Sequence, residues 1–342
     1  MKRLALALLI ATVVVTDAPM ATASSGVVQV KVEVASTVST SLPLVRLTFS
    51  SPVSASQLPA LHVTPALPTS WQQLSPTMVQ ATPSGAPSVA GNYRITIPTA
   101  LSCNGSCAIR TSRTVTTALT VSILWQEQLL AELNYLPVSF TPTTPTTSLV
   151  APTTGTFTWR FPQLTSQLAS QWTPGTPSVI LQGALMRFQD VNHLPTTGLL
   201  DSATWDALTR AATNDVVDPA AWNYVNVSET LPESLTLYVN GAPTFHTLVN
   251  TGIPQAPSTQ GTFPVYLRYT SQTMRGTNPD GSTYNDPGIP WISYFHGGEA
   301  LHGYIRASYG FPQSLGCVEM PFASANAVWP HTPIGTLVTV RP

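Results

Sequence analysis

Alternating apolar and polar residues mark the first third of the chain as β-structure. Val27–Val34 alternates as a half-buried strand does, and shorter runs repeat the pattern. These runs are Leu44–Phe49, Tyr93–Ile97 and Ala118–Val121. Clusters of Pro, Ser and Gly separate the runs at intervals typical of an antiparallel sandwich. We therefore predict an Ig-like β-sandwich over residues 25–121.

The apolar positions then change to helical spacing. Helices are predicted at Ile123–Leu133, at about Ser178–Val191, and from Ser202 onward. The Thr/Pro-rich stretch Thr141–Thr147 is expected to be extended and exposed. The pattern favours a small three-helix module over residues 122–213 with an insertion at 138–177.

Strand patterns return in the last third of the chain. Leu235–Val239 and Phe245–Val249 flank Asn240-Gly241, a strong hairpin signal. Gly261–Leu267 and Gly335–Val340 are further strand candidates. We predict a mostly-β domain over residues 216–342, with its site on loops rich in Gly, Asn, Asp and Pro. The fold class is multi-domain and mainly β.

Composition excludes a strongly charged partner. Only 8% of the 342 residues are charged, against a typical share of roughly 25%, while 43% are hydrophobic. The surface must therefore be made hydrophilic by Ser, Thr, Asn and Gln. The formal net charge of −1 provides no field for attracting nucleic acid, so no nucleic-acid partner is expected.

The start of the chain predicts export. Lys2 and Arg3 precede the apolar run Leu4–Val15, and Ala21-Thr22-Ala23 supplies the small residues that signal peptidase accepts. We predict a signal peptide over residues 1–23 and a secreted, extracytoplasmic mature protein. An uncleaved anchor is the alternative, although the run is shorter than the about 20 residues of a membrane span. No integral membrane partner is implied.

The three cysteines divide into a close pair and a single residue. Cys103 and Cys107 enclose Asn104-Gly105-Ser106, and a local disulfide is expected in an oxidising compartment. Cys317 is then left unpaired. An unpaired thiol in an exported protein is either a reactive nucleophile or a buried, inert core residue.

The segment around Cys317 contains what a thiol nucleophile needs. His302-Gly303 precedes Ser314-Leu315-Gly316-Cys317-Val318. A free thiol is only a few per cent ionised at neutral pH, so an imidazole must take its proton and hold a thiolate–imidazolium pair. A further acceptor fixes the imidazole tautomer, and glycine lets the backbone approach a substrate.

These motifs resemble the L,D-transpeptidase catalytic domain, the YkuD-like fold, over roughly Leu235–Val340. The family carries His-Gly and then Ser-x-Gly-Cys at the spacing found here, 15 residues (317 − 302). The resemblance implies that Cys317 is the nucleophile and His302 the base. The Gly303 backbone would accept a hydrogen bond from the His302 imidazole. The N–H groups of Gly316 and Cys317 would form the oxyanion hole. Ser314 would order that turn.

Two positions depart from the family pattern. Many members have His before the Gly-Cys, where this chain has Leu315, and Arg two residues after the Cys, where it has Glu319. A cation at the second position could bind a substrate carboxylate. Glu319 therefore leaves donor recognition open, or faces another partner.

The same segment supplies candidates for substrate contacts. The aromatic residues Tyr294, Tyr304 and Tyr309 would line the peptide groove, and Val318 follows the nucleophile. Aromatic residues at strand spacing are as often core residues. His296 also precedes a Gly, which makes it a second candidate for the base and a candidate substrate contact.

The helical region resembles the peptidoglycan-binding-like three-helix module. Phe188-Gln189, Thr197-Gly198 and Thr204-Trp205 recur in that family at similar spacing. The resemblance implies a module that binds cell-wall glycan. A generic helical spacer that binds nothing is the alternative.

Together the resemblances imply acyl transfer on peptidoglycan stem peptides through a Cys thioester. Resolution by an amine gives an L,D-transpeptidase and resolution by water an L,D-carboxypeptidase. A wall-binding protein with an inactive last domain is the third reading. No His-x-His or His-Glu-x-x-His pattern occurs, so neither a metal nor a cofactor is expected. The partners implied are stem peptides and glycan, for a monomeric protein.

Overall fold

The computed structural model describes two compact units. The described residues are 27–28, 30–34, 45–64, 66–67, 69–83, 90–97, 100–103, 105–108, 113–143 and 152–342. One unit comprises Met1–Trp125 with Thr144–Thr153, the other Gln126–Thr143 with Thr154–Pro342. The predicted signal peptide lies outside the described residues. Within the described ranges, no helix is both long and apolar enough to cross a bilayer.

In the part of the first unit that the structure describes, strands are accompanied by a short 3₁₀ turn, Ala55–Gln57. The strands are β1 Val27–Val28, β2 Val30–Val34, β3 Val45–Phe49, β4 His62–Thr64, β5 Thr69–Ser75, β6 Met78–Pro83, β7 Ala90–Ile97, β8 Ala100–Cys103, β9 Gly105–Ala108 and β10 Arg113–Thr120. They form sheets of order β2-β3-β6-β5, β10-β7-β4 and β1-β9-β8. The predicted β-strands are confirmed.

Two of these sheets share one apolar core. Leu47 and Val79 from the first sheet and Val63 and Ile95 from the second are buried in the same cluster. Burial in β3 alternates strictly, which is the pattern read from its sequence. This packing is sandwich-like, and the Ig-like assignment stays a prediction.

Cys103 and Cys107 lie on neighbouring strands. In the β8–β9 hairpin, Cys103 pairs with Gly105 and Leu101 pairs with Cys107. Their side chains are outside the described part of the structure. The disulfide between them therefore stays a prediction.

Among the described residues, the second unit contains helices and three further sheets. The helices are α1 Ile123–Glu132, which begins at the boundary of the units, α2 Thr165–Leu168, α3 Val179–Val191, α4 Ser202–Thr213 and α5 Phe322–Val328. Short 3₁₀ turns lie at Pro162–Leu164, Ala169–Gln171 and Trp329–His331. The strands are β11 Val138–Pro142, β12 Gly155–Trp159, β13 Asn223–Ser228, β14 Ser234–Val239, β15 Ala242–Leu248, β16 Gly261–Pro264, β17 Leu267–Thr277, β18 Thr283–His296, β19 Glu299–Gly303, β20 Val318–Met320 and β21 Leu337–Arg341.

Part of the predicted insertion is a folded hairpin. β11 and β12 pair antiparallel, with Val138 opposite Trp159 and Phe140 opposite Phe157. The Phe140 and Phe157 rings lie 4.9 Å apart, a cross-strand pair that stabilises the hairpin. Residues 141–142 are in strand β11, so their backbone is extended as predicted and Thr141 is exposed, while residues 144–147 lie outside the description.

The helical motif residues are buried and bonded to one another. Gln189 is fully buried and donates to Thr204 Oγ1 at 3.0 Å and to Leu199 O at 2.8 Å. Its Oε1 accepts from the Gly198 amide at 2.8 Å. Asp201 caps α4 by accepting from Thr204 N at 2.7 Å. These motif residues hold the helices together, which accounts for their spacing without a ligand.

Helix α3 meets the C-terminal strands at two glycines. A Cβ on Gly183 would lie 2.7 Å from Gly335 O, and one on Gly335 would lie 2.3 Å from Gly183 O. Only glycine permits this backbone approach. The insertion adds a second connection, since the Phe161 and Trp222 rings stack 5.5 Å apart. The helices and the last domain therefore pack as parts of one unit.

The two C-terminal sheets enclose the core beneath the candidate site. One has the order β15-β14-β13-β21-β16 and the other β17-β18-β19-β20. Val225 and Val338 from the first sheet, Leu301 and Val318 from the second, and Val328 of α5 share one buried cluster. The β14–β15 turn is the predicted one, with positive φ at Asn240 and Gly241.

Candidate active site

The register of two parallel strands brings the candidate nucleophile and base together. β19 pairs with β20 so that Leu301 faces Val318 and His302 faces Glu319. Side chains alternate between the faces of a strand, and Leu301 and Val318 both point into the core. His302, Cys317 and Glu319 therefore share the opposite face, and all three line one cavity.

A tight turn presents Cys317. Ser314 Oγ accepts from the Gly316 amide at 3.2 Å and donates to Cys317 O at 2.5 Å. Gly316 has φ +105°, which L side chains rarely adopt. Ser258 Oγ donates to Gly316 O at 2.8 Å from outside the turn. The Gly316 amide predicted for the oxyanion hole is thus engaged within the turn.

The imidazole of His302 is held from one side. Its Nδ1 lies 3.0 Å from Gly303 O, and the side chain is buried. Donation from Nδ1 to this carbonyl leaves Nε2 as the acceptor nitrogen, which is the tautomer that a general base requires. The ring of Tyr304 lies edge-on at 6.1 Å and limits rotation.

Both reacting groups are neutral at rest. Burial raises the pKa of the Cys317 thiol to about 12, an effect that Glu319 and Glu299 reinforce and that the Ala300 amide opposes. Burial lowers the pKa of His302 below its ordinary value. Cys317 as a residue is partly buried, and its Sγ lies 3.8 Å from Gly298 O. The site therefore contains a neutral thiol and a neutral imidazole that line one cavity, whereas the sequence predicted an ion pair.

A long hairpin forms one wall of the cavity. β17 and β18 supply Gln272, Tyr284, Asp286 and Tyr294 to a space of about 720 Å³. That volume is within the usual range for a small-ligand site. Sequence reasoning missed this hairpin, although its Asn-Pro-Asp-Gly turn at residues 278–281 is a recognisable signal.

The predicted tyrosines have different surroundings. Tyr294 and Tyr304 line the cavity, and their hydroxyls donate to Gln272 Oε1 and Asp286 Oδ2. The Tyr309 hydroxyl donates to Tyr304 O at 2.5 Å and braces the loop after His302. Tyr309 is not among the cavity-lining residues.

His296 and Val318 lie away from the cavity. The His296 ring packs 4.4 Å from that of Phe263, its Nδ1 lies 3.8 Å from Glu299 Oε1, and Val318 is fully buried. Val318 is one residue from Cys317, so strand alternation turns it into the core. The prediction of a substrate contact at Val318 is therefore wrong, and His302 is the histidine that shares the cavity with Cys317.

Glu319 has a partner that the sequence did not indicate. Arg306 donates from Nε to Glu319 Oε2 at 2.7 Å and from Nη2 to Oε1 at 2.8 Å. The guanidinium also lies 4.6 Å from the centre of the Tyr304 ring. This bidentate ion pair fixes Arg306 in the cavity wall.

The described residues contain no group of three His, Cys, Asp or Glu side chains that could hold a metal ion. Among them, Cys317 is a free cysteine. A free thiol and an imidazole that line one cavity are the groups that nucleophilic attack by sulfur requires.

Comparison with known proteins assigns this part of the chain. Residues 223–340 match the family model of YkuD, the L,D-transpeptidase catalytic domain. No curated protein matches the chain. The last third of the chain is therefore an L,D-transpeptidase catalytic domain, and the helical segment before residue 223 lies outside the match.

Solved L,D-transpeptidase structures are among the similar folds. The E. faecium catalytic domain, solved by NMR, is 25% identical over 34% of this chain and 95% of its own, with a TM-score of 0.32. The Mycobacterium smegmatis L,D-transpeptidase is 14% identical over 92% and 99%, with a TM-score of 0.34. One from Mycobacterium tuberculosis H37Rv is 12% identical over 90% and 93%, with a TM-score of 0.32.

Proposed function

We propose that this protein is a secreted cysteine L,D-transpeptidase that cross-links peptidoglycan stem peptides in the cell wall. The observation that carries the proposal is the β19–β20 register, which places His302 and Cys317 on one cavity face of the matched domain. Export follows from the N-terminal pattern of the sequence. Binding of wall glycan by the helical module remains part of the proposal.

The first half-reaction forms a thioester. Cys317 Sγ attacks the carbonyl between the third and fourth residues of a tetrapeptide stem while His302 Nε2 takes the thiol proton. Because both groups are neutral at rest, proton transfer accompanies the attack. The C–N bond then breaks, and His302 returns the proton to the departing amine of D-alanine.

The second half-reaction makes the cross-link. An amine from a neighbouring stem attacks the thioester carbonyl, and His302 takes a proton from that amine. The C–S bond breaks, the new amide forms, and His302 reprotonates the Cys317 sulfur. The enzyme returns to its starting state with one peptide bond exchanged for another.

Mass spectrometry of the intact protein tests this proposal. With a stem tetrapeptide we expect a thioester adduct equal to the peptide minus D-alanine, and with a carbapenem an adduct equal to the whole compound. Cys317→Ala abolishes both adducts if sulfur is the nucleophile. The proposal would be contradicted if the wild-type protein stayed unmodified with both the stem tetrapeptide and the carbapenem.

A histidine substitution separates the base from the nucleophile. His302→Gln removes the proton acceptor and keeps a side chain that hydrogen-bonds. We expect acylation to slow by about 10²-fold to 10⁴-fold, the usual contribution of a general base. His296→Gln is the matched control because that ring is outside the cavity, and its acylation rate should stay at the wild-type level.

A further inference from the structure

The Arg306–Glu319 pair places a cation in the wall of the Cys317 cavity. Glu319 is almost fully buried, while Arg306 is about 29% exposed, so the guanidinium is the member of the pair that reaches solvent. Arg306 Nη2 also donates to Gln313 O at 3.1 Å, which completes the fixing of one edge. The orientation of Arg306 is therefore set before any ligand arrives.

One edge of this guanidinium remains available. Nε and Nη2 are used by Glu319 and Gln313, and within the described part of the chain no hydrogen bond is made by Nη1. An arginine that only connected its loop to β20 would not need to line the cavity. Arg306 does line the cavity. The free N–H groups of Nη1 suit an anionic oxygen atom.

The position of the pair relative to the sulfur defines which oxygen it can reach. Glu319 is two residues after Cys317, on the same strand face, which is a separation of about 6.6 Å. The carboxylate of a single residue that follows the scissile bond lies within about 4 Å of the attacked carbonyl carbon. Arg306 is bonded to Glu319 and lines the same cavity as Cys317, so its guanidinium can contact that carboxylate while the carbonyl meets the sulfur.

We propose that Arg306 is a specificity-determining residue that binds the C-terminal carboxylate of the donor peptide, the carboxylate of the residue that leaves. Glu319 orients Arg306 for this contact. The inference rests on the proposed function and assigns the side chain that recognises the free carboxylate of the single leaving residue. The second arginine of the cavity, Arg275, bonds Asn285 Oδ1 from the hairpin and has no such fixed anchor.

A pair of small thiol reagents tests the anion site without relying on turnover. Iodoacetate and iodoacetamide alkylate Cys317 and differ only in a carboxylate against a carboxamide. We expect Arg306→Gln to lower the ratio of the iodoacetate rate to the iodoacetamide rate by about threefold to tenfold. A change in sulfur pKa affects both reagents equally and cancels in the ratio.

Arg275→Gln is the matched control for a general field of positive charge. It removes a cation from the same cavity and should move the ratio by less than twofold. Equal shifts from Arg275→Gln and Arg306→Gln would overturn the assignment. The assignment would also be overturned if Arg306→Gln changed both alkylation rates by the same factor. That is the result expected of an arginine with a purely structural role.

Peptide donors provide the second readout. We expect wild-type acylation by a stem tetrapeptide acid to exceed that by its C-terminal amide by about tenfold or more in kcat/KM. Arg306→Gln should abolish this preference. The double variant Arg306→Gln with Glu319→Gln replaces the ion pair by two amides. If the single variant fails to fold, we expect the double variant to show the same loss of preference for the peptide acid.

The two hypotheses fail separately. If neither peptide acylates the wild type, the proposed function is wrong, and the alkylation ratio still decides whether Arg306 binds anions. If both peptides acylate it equally, the L,D-transpeptidase proposal stands and the role of Arg306 is refuted.

Discussion

At the scale of single residues, the main result is the charge state of the sulfur. A thiol with a raised pKa beside an imidazole with a lowered pKa does not form a stable ion pair before substrate binds. Desolvation penalises both charged forms in the closed cavity. In the proposed mechanism, proton transfer therefore accompanies the attack, and the lowered pKa of His302 keeps its imidazole in the neutral form that accepts a proton.

This charge state predicts the pH dependence of alkylation. A raised acid pKa means that the thiolate fraction is small at neutral pH and grows as pH rises. We expect the rate with iodoacetamide to keep increasing above pH 9.0, the ordinary thiol value, since the pKa of Cys317 is about 12. Stopped-flow alkylation across pH 5 to 11 measures it. A plateau that begins below pH 7 would instead demonstrate a thiolate–imidazolium pair.

The turn before the nucleophile gives a second prediction. Gly316→Ala combines φ +105° with a Cβ only 3.3 Å from Glu299 Cγ. We expect strain of about 1–3 kcal/mol and a loss of about 10²-fold in acylation rate, because Cys317 shifts. Gly297→Ala is the control, with φ +50° and open space around the new Cβ. Equal acylation rates for the two variants would contradict this account.

At the scale of elements, strand alternation and a helix contact decide the site's setting. The β19–β20 pairing turns Leu301 and Val318 inward and the reacting side chains outward. Helix α3 packs against the sheet that contains β21, since Gly183 lies against Gly335 just before that strand. The helices thus stabilise the strand that pairs with β13 and β16 in the core of the domain.

Gly183→Ala tests that contact. The new Cβ would lie 2.7 Å from Gly335 O and 2.9 Å from Leu337 Cδ2, so backbone must move. We expect the free energy of unfolding to fall by about 1–3 kcal/mol despite the better helix propensity of alanine. Gln182→Ala, at an exposed position of the same helix, should be neutral or slightly stabilising. Urea denaturation measures both, and a stabilised Gly183→Ala would refute the close approach.

At the scale of the whole molecule, the helices belong to the same compact unit as the catalytic domain. The sequence favoured separate modules at residues 122–213 and 216–342. The motif residues of the helices bond to one another, and the Phe161–Trp222 stack and the Gly183–Gly335 contact connect them to the last domain. A module packed in this way moves with the catalytic domain.

Hydrogen exchange tests whether this unit opens as one. We expect the protected amides of α3 and of β21 to exchange with the same opening free energy, because separating the helix exposes the glycine contact. Mass spectrometry of peptic peptides reads both regions in one experiment. Earlier exchange throughout α3, with β21 still protected, would show an independently unfolding module.

The sequence by itself determined the elements that depend on local chemistry. The alternation of β3, the Asn240-Gly241 turn and the starts of α3 and α4 require only neighbouring residues. The motif resemblance likewise identified the catalytic domain, which the family match then bore out. Local propensity and short motifs are sufficient for these features because their causes lie within a few residues.

Only the tertiary structure decided which distant residues meet. Arg306 reaches Glu319, and the β17–β18 hairpin lines the same cavity as Cys317, because of strand pairings that no local pattern encodes. Likewise, His296 lies outside the cavity and His302 lies inside it, although each precedes a glycine. Pairing between non-adjacent strands depends on the packing of the whole core, and that packing selects the side chains that face the sulfur.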